Sequence, residues 1–251
     1  MGWMELTITT LAARPELAGP MREMPETWPE FVVEDLVGWA NYPRIAVEFP
    51  EYSLVATDPD GTVVARAYSV PFALNAPGRG ELPEGGWDQV LLWAFSDLRR
   101  GSTPDTVSAI EICVAKGWQG KGISGRMVAA MRENAGRLGF RELVAPVRPS
   151  AKHLDASAPM EEYARRTRAE DGLPYDPWLR VHVRAGAVIE AVAPVSMTVS
   201  GSLARWRSWT GLPFDEDGPV EVPGALVPVH CSVAHGYAVY VEPNVWVRHG
   251  V

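Results

Sequence analysis

Three features of the sequence predict an α/β fold of the α+β kind, with a mixed central sheet flanked by helices. Residues 52–57 and 62–71 are strand-like runs joined by the turn Asp58-Pro59-Asp60-Gly61, which marks an antiparallel hairpin. Residues 107–114 are apolar and rich in β-branched side chains, and a glycine-rich turn and an amphipathic segment follow at once. Elsewhere strands and helices mix without strict alternation, so a purely parallel sheet is not expected.

In chain order, residues 5–10 alternate as a short strand. Thr27-Trp28-Pro29-Glu30 has the form of a helix entry, and residues 31–40 carry apolar side chains at helical spacing. Residues 75–86, rich in Gly and Pro, form a loop before residues 87–98, a helix or buried segment apolar on more than one face. The helix at residues 124–138 places Met127, Val128, Met131, Ala135 and Leu138 along one stripe. Gly139 suits its C-terminal cap, and residues 142–147 return as a strand. Residues 159–170 have helical character and stop at Gly172. Asp176 is an N-cap, with Pro177 at the first helical position and Gly186 closing that helix. Beyond it lie a strand at 188–192 and a short helix at 202–210, then strand-like runs at 225–229, 237–241 and 244–247. No internal repeat is present.

With 251 residues the chain suits one large domain, 1–251. We divide it into an N-terminal portion, 1–149, which holds the glycine turn, and an acceptor-side portion, 150–251. A net charge of −8 argues against nucleic acid as a partner. No apolar run reaches the roughly 18 residues of a membrane span. The N-terminus lacks the basic and apolar regions of a signal peptide, and Cys113 and Cys231 offer neither a disulfide framework nor metal spacing. A cytoplasmic protein with no metal and no membrane partner is expected.

The turn Gln119-Gly120-Lys121-Gly122-Ile123-Ser124 between strand and helix is suited to phosphate. Glycines let the backbone approach an anion, and the free N–H groups and positive dipole of the helix start face it. No Walker-type P-loop string occurs. Gly120, Gly122 and Gly125 do match the dinucleotide fingerprint, which leaves an NADP-dependent oxidoreductase as a competing reading. Against it, an antiparallel region precedes the turn. The next strand ends in Pro146-Val147-Arg148-Pro149, without the acid that would hold a ribose.

More of the string is explained another way. Trp118-Gln119-Gly120-Lys121-Gly122-Ile123-Ser124 resembles the acetyl-CoA signature of the GNAT acyltransferase superfamily: Gln or Arg, two residues, Gly, one residue, then Gly or Ala, with an aromatic residue just before it. Ser124 replaces the last small residue, and Lys116 stands where the family often has Pro. The resemblance covers residues 5–147 and, more loosely, 178–192. It implies a GNAT-like sheet whose signature strand and the next strand splay apart, with acetyl-CoA or another acyl-CoA between them. By the same resemblance, the backbone of Val114 hydrogen-bonds the pantetheine, Cys113 is a further cofactor-binding residue, and the N–H groups of Gln119, Gly120, Lys121, Gly122, Ile123 and Ser124 hold the pyrophosphate.

Direct acyl transfer to an amine or thiol needs a base for the nucleophile and an acid for the departing thiolate. Glu111, a carboxylate inside an apolar strand, is one candidate. His182 is the other: it occupies the position where many family members carry a Tyr that protonates the thiolate, and imidazole titrates near neutrality. Arg148 and Trp178 are candidate substrate-binding residues. Residues 152–175 form an insertion relative to the family, and the chain is extended after Pro194; such additions build or cover an acceptor pocket. The Asp176-Pro177-Trp178-Leu179-Arg180-Val181-His182 run also resembles the GNAT-like loading domains of polyketide synthases. That likeness implies malonyl-CoA decarboxylation and S-acyl transfer to a carrier protein. The expected acceptor is therefore a small molecule or a carrier protein, and an acyl-CoA sensor without turnover is a further reading.

Overall fold

The computed structural model describes residues 5–25 and 27–251; residues 1–4, at the start of the segment lacking signal-peptide features, lie outside it. The strands are β1 (Thr7–Thr10), β2 (Ser53–Thr57), β3 (Val63–Phe72), β4 (Thr106–Val114), β5 (Glu142–Val147), β6 (Val188–Ser202), β7 (Gly218–Val220), β8 (Val229–Ser232) and β9 (Tyr237–Gly250). The helices are α1 (Ala18–Arg22), α2 (Leu36–Asn41), α3 (Ile45–Glu48), α4 (Gly86–Arg100), α5 (Ile123–Arg137), α6 (Met160–Ala164), α7 (Pro177–Arg184) and α8 (Leu203–Thr210). They build one mixed sheet in the order β1-β2-β3-β4-β5-β9-β8-β7, with β6 along the other edge of β9. This is the expected fold class.

Two apolar layers sandwich the sheet. Ile123, Met127, Met131 and Ala135 of α5 pack on one face with Leu179 of α7. Val90, Leu91, Ala94 and Phe95 of α4 pack on the other with Ile45 and Phe49. A third cluster, which includes Trp206 and Tyr240, packs the chain beyond Pro194 against Phe31 and Val32.

Several elements differ from expectation. Residues 31–40 are not one helix: a short 3-10 turn precedes α2, and Asp35 caps that helix by accepting from the Gly38 N–H. The 159–170 segment is helical only as α6, because Thr167 pairs with Pro174 in an isolated bridge. The strand expected at 188–192 runs on to Ser202, and the two runs at 237–241 and 244–247 are one strand, β9. Residues 225–228 turn instead of extending, so β8 starts only at Val229.

β4 and β5 are parallel neighbours for only two residue pairs, Val107 with Leu143 and Ser108 with Val144. Beyond those pairs they diverge. A bulge in β4 sits at the same level, since Tyr68 faces Glu111 while the next residue, Ser69, faces Ala109. The Ile110 carbonyl accepts instead from the Trp87 indole at 3.0 Å. A bulge bends its strand and re-aims side chains, and here it opens the sheet.

Candidate functional site

The divergence of β4 and β5 leaves a cavity of about 360 Å³. Its walls come from β4 (Ala109 to Ile112), the end of β5 with Arg148, α7 (Trp178 and His182), and the segment around α2 (Trp28, Asp35, Trp39, Tyr42). β9 closes it with Glu242 and Asn244. That strand has no neighbour on its β5–β8 edge between Tyr240 and Asn244, because pairing with β5 begins at Val245 and pairing with β8 ends at Val239.

Beyond the C-terminal end of β4 the glycine turn leads directly into α5. Gly120 and Gly122 have φ of +74° and +75°, a conformation L side chains rarely adopt. Open space lies where a Cβ would point at either one. Gly122 caps α5 without any side-chain hydrogen bond, so no cap side chain satisfies the first amides of this 15-residue helix. The Gln119 side chain donates to the Val114 carbonyl at 3.1 Å and folds the turn against the strand end. Lys121 rides over the Trp118 ring at 4.6 Å. These residues fit an acyl-CoA diphosphate. Cys113 is buried in β4 beside Thr27.

Glu111 has a saturated carboxylate. It accepts from Arg66 Nε at 2.9 Å, from Arg66 Nη2 at 3.3 Å, from the Trp28 indole at 2.8 Å and from the Tyr42 hydroxyl. Arg66 is itself buried, on β3, and also donates to the carbonyls of Met21 and Met24. Burial and the Glu111 charge push the Tyr42 phenol well above its usual range.

Arg148 is engaged as well. Its Nε donates to both Glu242 oxygens, at 3.0 and 2.9 Å, and its Nη2 to the Gly224 carbonyl. The Tyr240 hydroxyl and the Asn244 amide complete the shell of Glu242. Asn244 accepts from Ser196 Oγ, which in turn accepts from the Trp87 N–H. Gly86 is obligatory beside that contact: its φ is +39° and a Cβ would stand 2.1 Å from Ser196 Oγ.

His182, on α7, has its Nδ1 3.0 Å from Nε2 of His249 on β9. Both rings are buried. Desolvation, followed by His249, lowers the His182 pKa to about 3, and desolvation, followed by Arg132, lowers that of His249 to about 4. Both are therefore neutral at physiological pH.

Asp35 and Asp88 touch each other with no arginine or lysine acting on either among the described residues. Burial first, then the Asp35 charge, pushes Asp88 up to about 8. The folded form thus keeps a proton that an unfolded aspartate gives up above pH about 4. The stability this proton confers is complete in acid and lost as pH rises from about 4 to 8. Asp88→Asn removes the loss, so its melting temperature should exceed that of the parent at pH 8 and match it near pH 4. Equal differences at both pH values would contradict the shared proton.

Of the residues expected from sequence, Glu111, Arg148, Trp178 and His182 meet at this one cavity, and the turn residues follow the C-terminal end of β4, outside its lining. Trp206, Trp209 and Trp246 belong to the packed cores. No residue of the 152–175 insertion lines the cavity. It is held into the fold by Lys152, which donates to the carbonyls of Asp155 and Leu226, and by the Tyr163 hydroxyl on Asp176. Asp35, Glu242, Asn244, Trp28, Trp39 and His249 were not expected from sequence. Among the described residues there is no cluster of His, Cys, Asp and Glu able to hold a metal, and no helix is long and apolar enough to cross a membrane.

No family model matches the chain. In structure it is similar to the loading GNATL domain of CurA from Lyngbya majuscula, with 18% identity, 99% and 98% of the two chains covered and a TM-score of 0.60. A GNAT-like decarboxylase, GphF in complex with isobutyryl-CoA, aligns with 16% identity, 98% of each chain covered and a TM-score of 0.54. These likenesses show the fold. In sequence the chain is 33% identical to the arginine N-acetyltransferase avaD of Aspergillus versicolor, over an alignment that takes in 98% of this chain and 94% of that protein. An identity of that size over nearly the whole length, joined to the splayed strands and the uncapped glycine turn, places the chain in the GNAT superfamily as an acyl-CoA-dependent acyltransferase.

Proposed function

We propose that the protein transfers an acyl group from acyl-CoA to the amine of a small cationic acceptor, of which arginine is the model. The observation that carries this reading is the near-full-length relation to an arginine N-acetyltransferase. Electrostatics supports it. Glu111 and Glu242 each hold their own arginine, whereas Asp35 faces the cavity with no ion-pair partner among the described residues. Trp28, Trp39, Tyr42, Trp87 and Trp178 add aromatic faces, which attract a guanidinium or ammonium. A malonyl carboxylate would instead meet Asp35, and the Arg148 guanidinium is already bonded to Glu242.

The acyl-CoA would be held by the Gln119–Ser124 turn and supplies an activated thioester. Transfer forms a bond from the acceptor nitrogen to the thioester carbonyl carbon and breaks the carbon–sulfur bond. The nitrogen gives up one proton and the thiolate gains one. His182 is the residue of the cavity suited to carry that proton, because it is neutral and lines the cavity. Glu111, saturated by Arg66, Trp28 and Tyr42, shapes the wall beside it.

Asp35→Asn tests the acceptor. Asn remains a good helix cap, so α2 should persist, while one charge-assisted contact is lost. KM for arginine should rise about 10- to 100-fold, with little change for a neutral amine. An unchanged KM for arginine would sink the cationic-acceptor reading.

A further inference from the structure

We propose that His249 is a positioning residue for His182: it accepts the His182 Nδ1–H and so fixes the tautomer whose bare Nε2 faces the cavity. The inference rests on the reading that His182 moves the acceptor's proton.

The geometry leaves little freedom. Nδ1 of His182 and Nε2 of His249 are 3.0 Å apart, and the residues are 3% and 0% exposed. The Trp178 ring stands edge-on to His182 at 4.6 Å, which holds the imidazole from the other side. His249 is fixed by its place in β9, opposite Leu143 of β5. One ring must donate to the other. The remaining nitrogen of His249, Nδ1, is buried without a hydrogen-bond partner of good geometry. The Ala185 carbonyl acts on that ring so as to favour a proton. We assign the His249 proton to Nδ1, which leaves its Nε2 as the acceptor and His182 with its own proton on Nδ1.

The charged groups around the pair favour the same direction. Arg132 of α5 donates to the Ala185 carbonyl at 2.6 Å and to the Gly250 carbonyl at 2.7 Å, and its charge disfavours a cationic His249. Across the cavity, Glu111 and Glu242 are neutralised by Arg66 and Arg148. A proton taken up at His182 Nε2 passes from that nitrogen to the thiolate, with Nδ1–H donated to His249 throughout. His249 itself exchanges no proton with either substrate.

Two variants and one spectroscopic measurement decide the matter. His249→Leu removes the acceptor and should lower kcat about 10- to 100-fold, with KM for both substrates nearly unchanged. In His249→Gln the side-chain oxygen can accept the same Nδ1–H, and most of kcat should return. Equal losses in both variants, or a loss confined to KM, would mean that the ring only fills space. Nitrogen-15 NMR of the imidazoles should show His182 protonated at Nδ1 in the parent protein and at Nε2 in His249→Leu. Finding His182 protonated at Nε2 in the parent overturns the proposal even if arginine is acetylated. Finding it at Nδ1 while arginine is refused leaves the positioning role standing and removes only the acceptor.

Discussion

Replacing Arg66 by methionine is expected to destabilise the protein by about 3–5 kcal/mol, the cost of stranding a buried carboxylate. The side chains of Arg66 and Glu111 are 2% and 1% exposed. The Trp28 and Tyr42 donors that remain cannot neutralise the Glu111 charge. For a chain of this size the loss corresponds to roughly 6–20 °C in melting temperature. The double variant Arg66→Met with Glu111→Leu removes both charges and should recover most of it, because a buried pair contributes little net stability beyond its own desolvation. Thermal unfolding of the two single variants and the double variant checks this. A mild Arg66→Met phenotype, or no recovery in the double variant, would show that Glu111 reaches water or takes up a proton instead.

The second large effect is catalytic. His182→Ala should lower kcat by about 10²- to 10⁴-fold, the range for removing a general acid–base group. Affinity for acyl-CoA should change little, since the diphosphate would be held by the turn after Val114, whereas His182 stands on α7 beside the cavity. Pre-steady-state turnover and acyl-CoA titration separate the two. A parallel loss of binding would mean that α7 had collapsed and not that a proton carrier had gone. Acid should also expose this pair. Both histidines have folded-state pKa values below that of an unfolded histidine. The stability they confer is therefore present above pH about 6.5 and lost as pH falls toward 3 to 4.

Part of the fold was legible in the sequence because its signals are local. The hairpin turn, the run at 107–114 and the Asp176 cap each declare themselves within ten or so residues, and each forms as expected. The long C-terminal strands and the α2 segment were not. β6 was cut short because its outer residues are exposed and its pairing with β9 breaks between Ala193 and Met197, so no clean alternation marks it. β9 was read as two strands because Glu242-Pro243-Asn244 interrupts an apolar run. Those polar residues are there to line the cavity. Asp35 was hidden inside an apolar spacing that resembled one continuous helix.

The site's pairs were beyond reach for a related reason. Arg148 meets Glu242 across 94 residues, Arg66 meets Glu111 across 45, and His182 meets His249 across 67. Glu111 and His182 were recognisable from residue type and position. Their partners depend on register in the sheet, which a single sequence does not display. His249 is buried in β9 and paired with Leu143 of β5.

The most direct test of the account is product analysis with acetyl-CoA and arginine as the only substrates, with malonyl-CoA and a carrier protein in a parallel reaction. The account expects free CoA and N-acetylated arginine in equal amounts, and no carbon dioxide from malonyl-CoA. Carbon dioxide release with acyl transfer to the carrier thiol, while arginine stays unmodified, would contradict it.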